Sequence, residues 1–332
     1  MKPLAVSIGE PAGIGPEIIG KAWTSRHKEK LPPFFVLGSV ALLKQLLPDI
    51  AMEKIVRPED CDNIFPAALP VLDIPAVGDV TPGKPIEDTA AMVIRALDMA
   101  AELFFGGRIS GLVTAPIQKS VLYQAGFDCP GHTEYLAQLC ANHTGAPQTA
   151  VMMLACDELR VVPLTIHVPL ANVPALITEE LLEETCRKIN SALQADFGLS
   201  QPRIAVAGLN PHAGEDGGLG REEIDIIAPA IKTLQDEGLN VFGPLAADTM
   251  FHDLARTTYD VALCMYHDQA LIPIKTLDFD GGVNVTLGLP LIRTSPDHGT
   301  ALNIAGQGKA NPKSLIKAIQ MAHEMSLQRG LK

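Results

Sequence analysis

Short apolar, β-rich segments alternate with amphipathic helical ones along this chain, and three of the β segments run straight into a histidine. PLAVSIGEPAGIGPEIIGKAW near the start reads as strand, glycine turn and helix, with Pro16 suited to a first helical turn. FFVLGS (34–39) is a second strand. Residues 85–105 carry a helical period through Met92, Ile94, Leu97, Met99 and Leu103 and lead into strand-like SGLVTAPI. A helix over 177–197 then precedes a strand at 203–209, and a helix over 222–238 precedes a strand at 260–266. Strand and helix repeated in this order predict an α/β fold with a mostly parallel sheet and helices on both faces.

The histidines end LRVVPLTIH at His167 and RIAVAGLNPH at His212, and DVALCMYHD carries His267. Parallel strands end along one edge of a sheet, where ligands bind, so residues 45 and 55 positions apart can share a site. A single histidine at a strand end is ordinarily a loop residue with a satisfied hydrogen bond. Three in the same place point to a divalent metal, because imidazole nitrogens suit Zn²⁺ and other first-row ions. Three protein ligands also leave one coordination position open for substrate or water.

At 332 residues the chain exceeds what one hydrophobic core usually serves, so two lobes are expected. Only 19% of residues are charged against 47% hydrophobic, an apolar balance that fits a surface covered by a partner subunit. The net charge of −12 argues against nucleic acid or an anionic membrane as partner, while a few local cations can still hold a small phosphorylated substrate. Six cysteines without a CxxC pair, no signal-peptide pattern in MKPLAVSIGEP and no long apolar run lead to the expectation of a reduced, cytoplasmic protein.

GEPAGIGPE (9–17) has neither the GK[ST] ending of a phosphate loop nor the third glycine of a dinucleotide fingerprint, and a tight strand-to-helix turn accounts for it. GHTEYLAQL (131–139) offers Thr133 as an N-cap with His132 beside it, a helix start able to hold phosphate or to be an ordinary cap. Lys119, Lys275, Asn284 and Arg293 sit in or beside apolar, strand-like sequence, where a long cation needs a route to water or an anionic partner. DHGTALNIAGQGKANP (297–312) lacks GxGxxG and precedes a helix beginning near Pro312.

Taken in order, GEPAGIGPE, TAPIQK, GHTEYL, GLNPHAGEDG, AADTMF, MYHDQ, GVNVTLGLPLIRTSPDHGTA and GKANP resemble the 4-hydroxythreonine-4-phosphate dehydrogenase family of pyridoxal 5′-phosphate biosynthesis, collinearly from about residue 5 to 325. HGTALNIAGQGKANP is also similar to the adenine-side cofactor loop of isocitrate and isopropylmalate dehydrogenases. The resemblance implies two α/β/α lobes of isopropylmalate dehydrogenase type with the active site in the cleft between them. One lobe would comprise 1–128 with 295–332 and carry the cofactor loop; 129–294 would bind metal and dimerise. His167, His212 and His267 are implied to bind one divalent ion (Zn, Co, Mn or Mg) at a homodimer interface, His267 coming from the opposite subunit. His132, Thr133, Lys275, Asn284 and Arg293 match substrate-binding positions. His298, Gly299, Thr300, Ala301 and Asn311 match the adenosine end of an NAD or NADP site. Lys119, Asp248 and Asp268 adjoin matched motifs and are candidates for the general base, although Asp268 could instead orient His267.

The implied reaction is metal-dependent oxidation of 4-phosphonooxy-L-threonine to 2-amino-3-oxo-4-phosphonooxybutanoate, which decarboxylates to 3-amino-2-oxopropyl phosphate. Related enzymes oxidise erythronate or threonate 4-phosphate, a difference of one substituent at one carbon. A metal-dependent phosphatase or hydrolase and a non-catalytic ligand-binding α/β protein are the alternatives from other classes.

Overall fold

The structure, a computed structural model, describes residues 2–76, 78–129 and 131–331. By its contacts the chain forms two compact units, Met1–Ala150 with Leu289–Lys332, and Val151–Gly288. Segments 129–150 and 289–294, assigned from sequence to the second lobe, fall in the first unit. The helix His132–Thr144 packs on the helix Ala90–Phe105, and the strand beginning at Arg293 pairs within the first unit's sheet.

The first unit contributes β1 (Leu4–Ser7), β2 (Phe34–Gly38), β3 (Met52–Ile55), β4 (Leu69–Asp73) and β5 (Gly111–Thr114). The second contains β6 (Val151–Ala155), β7 (Arg160–Thr165), β8 (Ile204–Ala207), β9 (Val241–Leu245), β10 (Val261–Tyr266) and β11 (Val283–Leu287), after which β12 (Arg293–Pro296) returns to the first. In the first unit the strands run β3-β4-β2-β1-β5-β12, every neighbouring pair parallel. Strands β1, β2 and β5 are buried along their whole length, which is why they read as unbroken apolar runs and not as alternating ones. Each fully buried side chain such as Phe34, Phe35 or Leu37 contributes about 1.5–3 kcal/mol.

Chain order reverses beside β1: β2 lies on one side and β5 on the other, opening a switch point at their carboxyl ends. Gly9 sits there with φ +69°, and a Cβ on it would lie 2.5 Å from the Pro116 carbonyl oxygen. Only glycine permits that approach, which lets Glu10 N–H donate to Pro116 O at 2.8 Å. The helix Gly15–Thr24 follows with Pro16 in its first turn, as expected. The helix Ala90–Phe105 buries Met92, Val93, Ala96, Leu97, Ala100 and Ala101. Met92, Leu97 and Leu103 are buried as the sequence reading expects, whereas Ile94 and Met99 are only half-buried and their neighbours Val93 and Ala100 take the buried face.

In the second unit the order is β11-β6-β7-β10-β8-β9, with β6 antiparallel to both neighbours and β7, β10, β8 and β9 mutually parallel. The segment LIPIKTL, read as strand-like, belongs instead to the helix His267–Leu277. Ala270 and Ile274, one turn apart, bury together against Leu154, Ala205 and Cys264, and the helix accommodates Pro273. The expected helix over 222–238 begins with a π-helical turn, Glu223–Ile227, before Ala228–Asp236. Among the described residues no helix is long and apolar enough to cross a membrane.

Candidate active site

Of three neighbouring parallel strands, β7 and β10 end level, Thr165 lying opposite Tyr266, while β8, with Val206 opposite Leu263, ends at Ala207, about two residues short of them. His167, His267 and His212 follow these ends, so the shared edge expected from sequence is present. Side chains stitch the edge laterally. Thr165 Oγ1 donates to Met265 O at 2.8 Å, Gln269 Oε1 accepts from Met265 N at 2.6 Å, and Gln269 Nε2 donates to Gly208 O at 2.8 Å. Gln269 thereby ties the strand end carrying His267 to the one leading to His212. It stands in the MYHDQ motif, yet nothing local in the sequence gives it that role.

The rings of His167 and His267 lie 5.8 Å apart, centroid to centroid, and line a cavity of about 270 Å³ with Thr165, Val168, Tyr266 and Asp268. Asp268 Oδ1 is 2.7 Å from His267 Nδ1, so Nδ1 donates its hydrogen, and in the neutral ring the lone pair is on Nε2. His167 (φ 52°) is in left-handed backbone, and His212 (φ 53°) begins a run of five such residues through Asp216. Left-handed backbone costs an ordinary L-residue about 1–2 kcal/mol, a strain found chiefly where function demands it. Within one chain, among the described residues, no three His, Cys, Asp or Glu side chains converge on a common point; the structure brings His167 and His267 together and leaves His212 apart. Asp248 is exposed in the turn beyond β9, Lys275 lies 5.7 Å from the Phe279 ring centre, and Asn284 is half-buried in β11.

In the first unit, Arg293 opens β12 beside β5 and is almost fully buried. Its Nε and Nη2 donate to Thr114 Oγ1 at 3.0 and 2.8 Å, and Nη2 lies 3.4 Å from His132 Nδ1. Burial pushes the guanidinium down to about 10, with Glu134 pulling the other way. Burial, with the charges of Arg293 and Lys119 added, holds His132 well below the ordinary histidine value. Arginine has no acceptor, so a neutral His132 accepts at Nδ1 and carries its hydrogen on Nε2, a buried atom with no partner among the described residues. The helix starts at His132 with Gly131 as N-cap, so Thr133 is its second residue and not its cap; the extended backbone of Gly131 (φ −179°) begins the helix two residues earlier than a Thr133 cap would. Lys119, the first residue of the helix Lys119–Gln124, packs over Gly131: a Cβ there would meet Lys119 Cε at 3.4 Å and Nζ at 3.5 Å. Thr114, which anchors the arginine, escaped sequence reading because its role exists only once β12 is beside β5.

The loop 297–311 folds over the β1 turn. Thr300 O accepts from Ile14 N at 3.0 Å, and Thr300 Oγ1 donates to Gln118 Oε1 at 2.9 Å. Ala301 is left-handed (φ 43°), and Gly299 is open on its Cα face. His298 Nδ1 donates to Gly299 O at 3.0 Å, which in the neutral ring leaves Nε2 a buried acceptor without a partner among the described residues. Asn311 Oδ1 accepts from Lys313 N at 3.1 Å at the head of the helix Lys313–Gln328. Behind the loop, Glu17 Oε1 accepts from Ala310 N at 2.8 Å, and Lys21 Nζ donates to Gly308 O and Ala310 O at 2.8 and 2.7 Å.

The chain is similar to known proteins along nearly its whole length. The family model for the pyridoxal phosphate biosynthetic protein PdxA matches residues 30–322. The 4-hydroxythreonine-4-phosphate dehydrogenase of Caulobacter vibrioides is 52% identical over 332 residues, covering 99% of both chains. The enzyme of the same name from Zymomonas mobilis is 52% identical over 322 residues, covering 97% of this chain and 95% of its own. The crystal structure of 4-hydroxythreonine-4-phosphate dehydrogenase from Klebsiella pneumoniae superposes with a TM-score of 0.86 at 36% identity, covering 98% of this chain and all of the other. The chain belongs to the PdxA family of pyridoxal phosphate biosynthetic proteins.

Proposed function

We propose that the chain is an NAD(P)-linked, metal-dependent dehydrogenase acting as a homodimer. It oxidises 4-phosphonooxy-L-threonine to 2-amino-3-oxo-4-phosphonooxybutanoate, which loses CO₂ to give 3-amino-2-oxopropyl phosphate. The observation that carries this reading is the buried Arg293–His132 pair with Lys119 beside it. A buried guanidinium beside an imidazole Nε2–H that has no partner among the described residues, at a helix N-terminus, suits an anionic substrate group.

The donor set fits a divalent ion: two neighbouring imidazoles, one with a carboxylate behind it, are ligands for first-row metals. His167, His212 and His267 would hold it. Because no three such groups converge within one chain among the described residues, a three-ligand set takes a ligand from a second copy. Eight of the eleven large apolar side chains exposed among the described residues belong to Val151–Gly288, including Val168, Leu170 and Ile272 near the two histidines in sequence, which supplies apolar surface for that copy. His298, Gly299, Thr300, Ala301 and Asn311 would hold the adenosine end of the nucleotide, with His298 Nε2, which has no partner among the described residues, accepting from it.

When bound, the metal favours ionisation of the substrate's secondary hydroxyl and the nicotinamide accepts the hydride. The protein's own groups bind and orient. Arg293 offsets the substrate's negative charge, and His132 donates from Nε2. Thr133, Lys275 and Asn284 complete the substrate contacts. Of the three base candidates, Asp268 is engaged with His267 and Asp248 stands exposed on its turn, so proton removal is assigned to Lys119.

The test follows reduced nicotinamide with 4-phosphonooxy-L-threonine and, in parallel, erythronate 4-phosphate, with and without chelator. Chelator-sensitive turnover of the amino substrate is expected. Preference for erythronate 4-phosphate would move the substrate assignment, and phosphate release without hydride transfer would replace the dehydrogenase reading with a hydrolase.

A further inference from the structure

His212 stands at the start of a backbone segment that an L-polypeptide does not hold unaided. His212, Ala213, Gly214, Glu215 and Asp216 have φ of 53°, 52°, 82°, 45° and 54°, a left-handed turn containing one glycine. A carboxylate lies inside it. Glu223 is 2% exposed, and its Oε1 accepts from Leu209 N at 2.8 Å and Asn210 N at 2.7 Å while Oε2 accepts from Asn210 Nδ2 at 2.9 Å. These bonds grip the two residues just ahead of Pro211-His212.

The fit around that carboxylate is close on every side. A Cβ on Gly214 would lie 2.7 Å from Glu223 Oε2, one on Gly208 would lie 3.1 Å from Oε1, and one on Gly220 would lie 2.2 Å from Asn210 Nδ2. Glu223 itself begins the π-helical turn Glu223–Ile227, a local widening often retained for function. On the far side, Gly208 O receives Gln269 Nε2, so the gripped segment is also fastened to the strand end that carries His267.

We propose that Glu223 is a positioning residue for the metal: by accepting the N–H groups of Leu209 and Asn210 it holds the left-handed turn that presents His212 as a ligand. The proposal rests on the metal reading above. It predicts that damage to this cradle weakens metal binding while the nucleotide half of the protein is untouched, since Glu223 lies in Val151–Gly288 and the nucleotide loop in the other unit.

The experiment titrates Co²⁺ and Zn²⁺ into the metal-stripped full chain, reading affinity by chelator competition and the Co²⁺ absorption spectrum for ligand geometry. Nucleotide affinity is measured separately by fluorescence. Glu223→Ala is expected to lose about 10- to 100-fold in metal affinity and to change the Co²⁺ spectrum, with nucleotide affinity unchanged. Glu223→Gln, which keeps one acceptor oxygen, should lose less. Gly220→Ala, which displaces Asn210 while leaving Glu223 intact, should lose affinity by an independent route. Wild-type affinity and spectrum in Gly220→Ala and in whichever Glu223 variants fold would overturn the proposal. If the unaltered chain binds neither ion, the metal reading itself falls, and the proposal with it, before any variant is compared.

Discussion

Nη2 of Arg293 lies 3.4 Å from Nδ1 of His132, and the same guanidinium grips Thr114 Oγ1 through two nitrogens. The arrangement uses the planar fork of arginine, which an ammonium cannot reproduce. Arg293→Lys is therefore expected to lower kcat/KM for the phosphorylated substrate by roughly 10- to 100-fold, the range of about 1.5–3 kcal/mol for charge-assisted hydrogen bonds. The loss should fall mainly on KM. Steady-state kinetics with the nucleotide saturating check it; an unchanged KM would place Arg293 outside the substrate site.

His132 also sets a pH dependence of stability. Burial first, then Arg293 and Lys119, depress its folded value well below 6.5, so in the window beneath 6.5 the unfolded chain binds a proton that the folded chain refuses. The stabilisation is present above the unfolded value and is lost as pH falls toward the depressed folded one. Urea midpoints measured downward from neutral pH should show this slope, and His132→Gln should reduce it. A slope of the same size in the variant would assign it to other groups.

How far the sequence reaches can be judged at particular residues. The histidine edge was legible because strand ends in a parallel sheet must gather, and β7, β10 and β8 do lie side by side. LIPIKTL was not, because a short apolar run has no period to separate strand from buried helix, and only burial of Ala270 with Ile274 decides it. Thr133 has the composition of a cap, but the extended Gly131 starts the helix before it. The left-handed turn at His212 was beyond local reading altogether, since Glu223, 11 residues later, is what holds the backbone there.

Asp268 is expected to act on the metal through His267. Its Oδ1 fixes the ring tautomer at 2.7 Å, so Asp268→Ala frees the imidazole to rotate and to present the wrong nitrogen. A loss of about 10- to 100-fold in Zn²⁺ affinity follows from the usual effect of removing such a partner. Asp268→Asn, which can still accept through its amide oxygen, should lie between. Isothermal titration separates the cases, and equal affinity in all three proteins would reduce the pair to a surface contact.

The loop 297–311, proposed to hold the nucleotide, is braced from behind by an ion pair. Lys21 Nζ and Glu17 Oε1 meet at 2.8 Å, and between them they bind Gly308 O, Ala310 O and Ala310 N. Lys21→Met removes two donors to carbonyls and leaves Glu17 without its cation. At about 1–2 kcal/mol for the bonds lost, the KM for nucleotide should rise roughly 5- to 30-fold. Neither residue belongs to the proposed substrate site at Arg293, so the KM for the phosphorylated substrate should hold. Lys21→Arg, which can still donate to both carbonyls, should recover most of the loss. A proportional rise in both KM values would mean that the first unit as a whole had loosened, and the brace would then have no separate role in nucleotide binding.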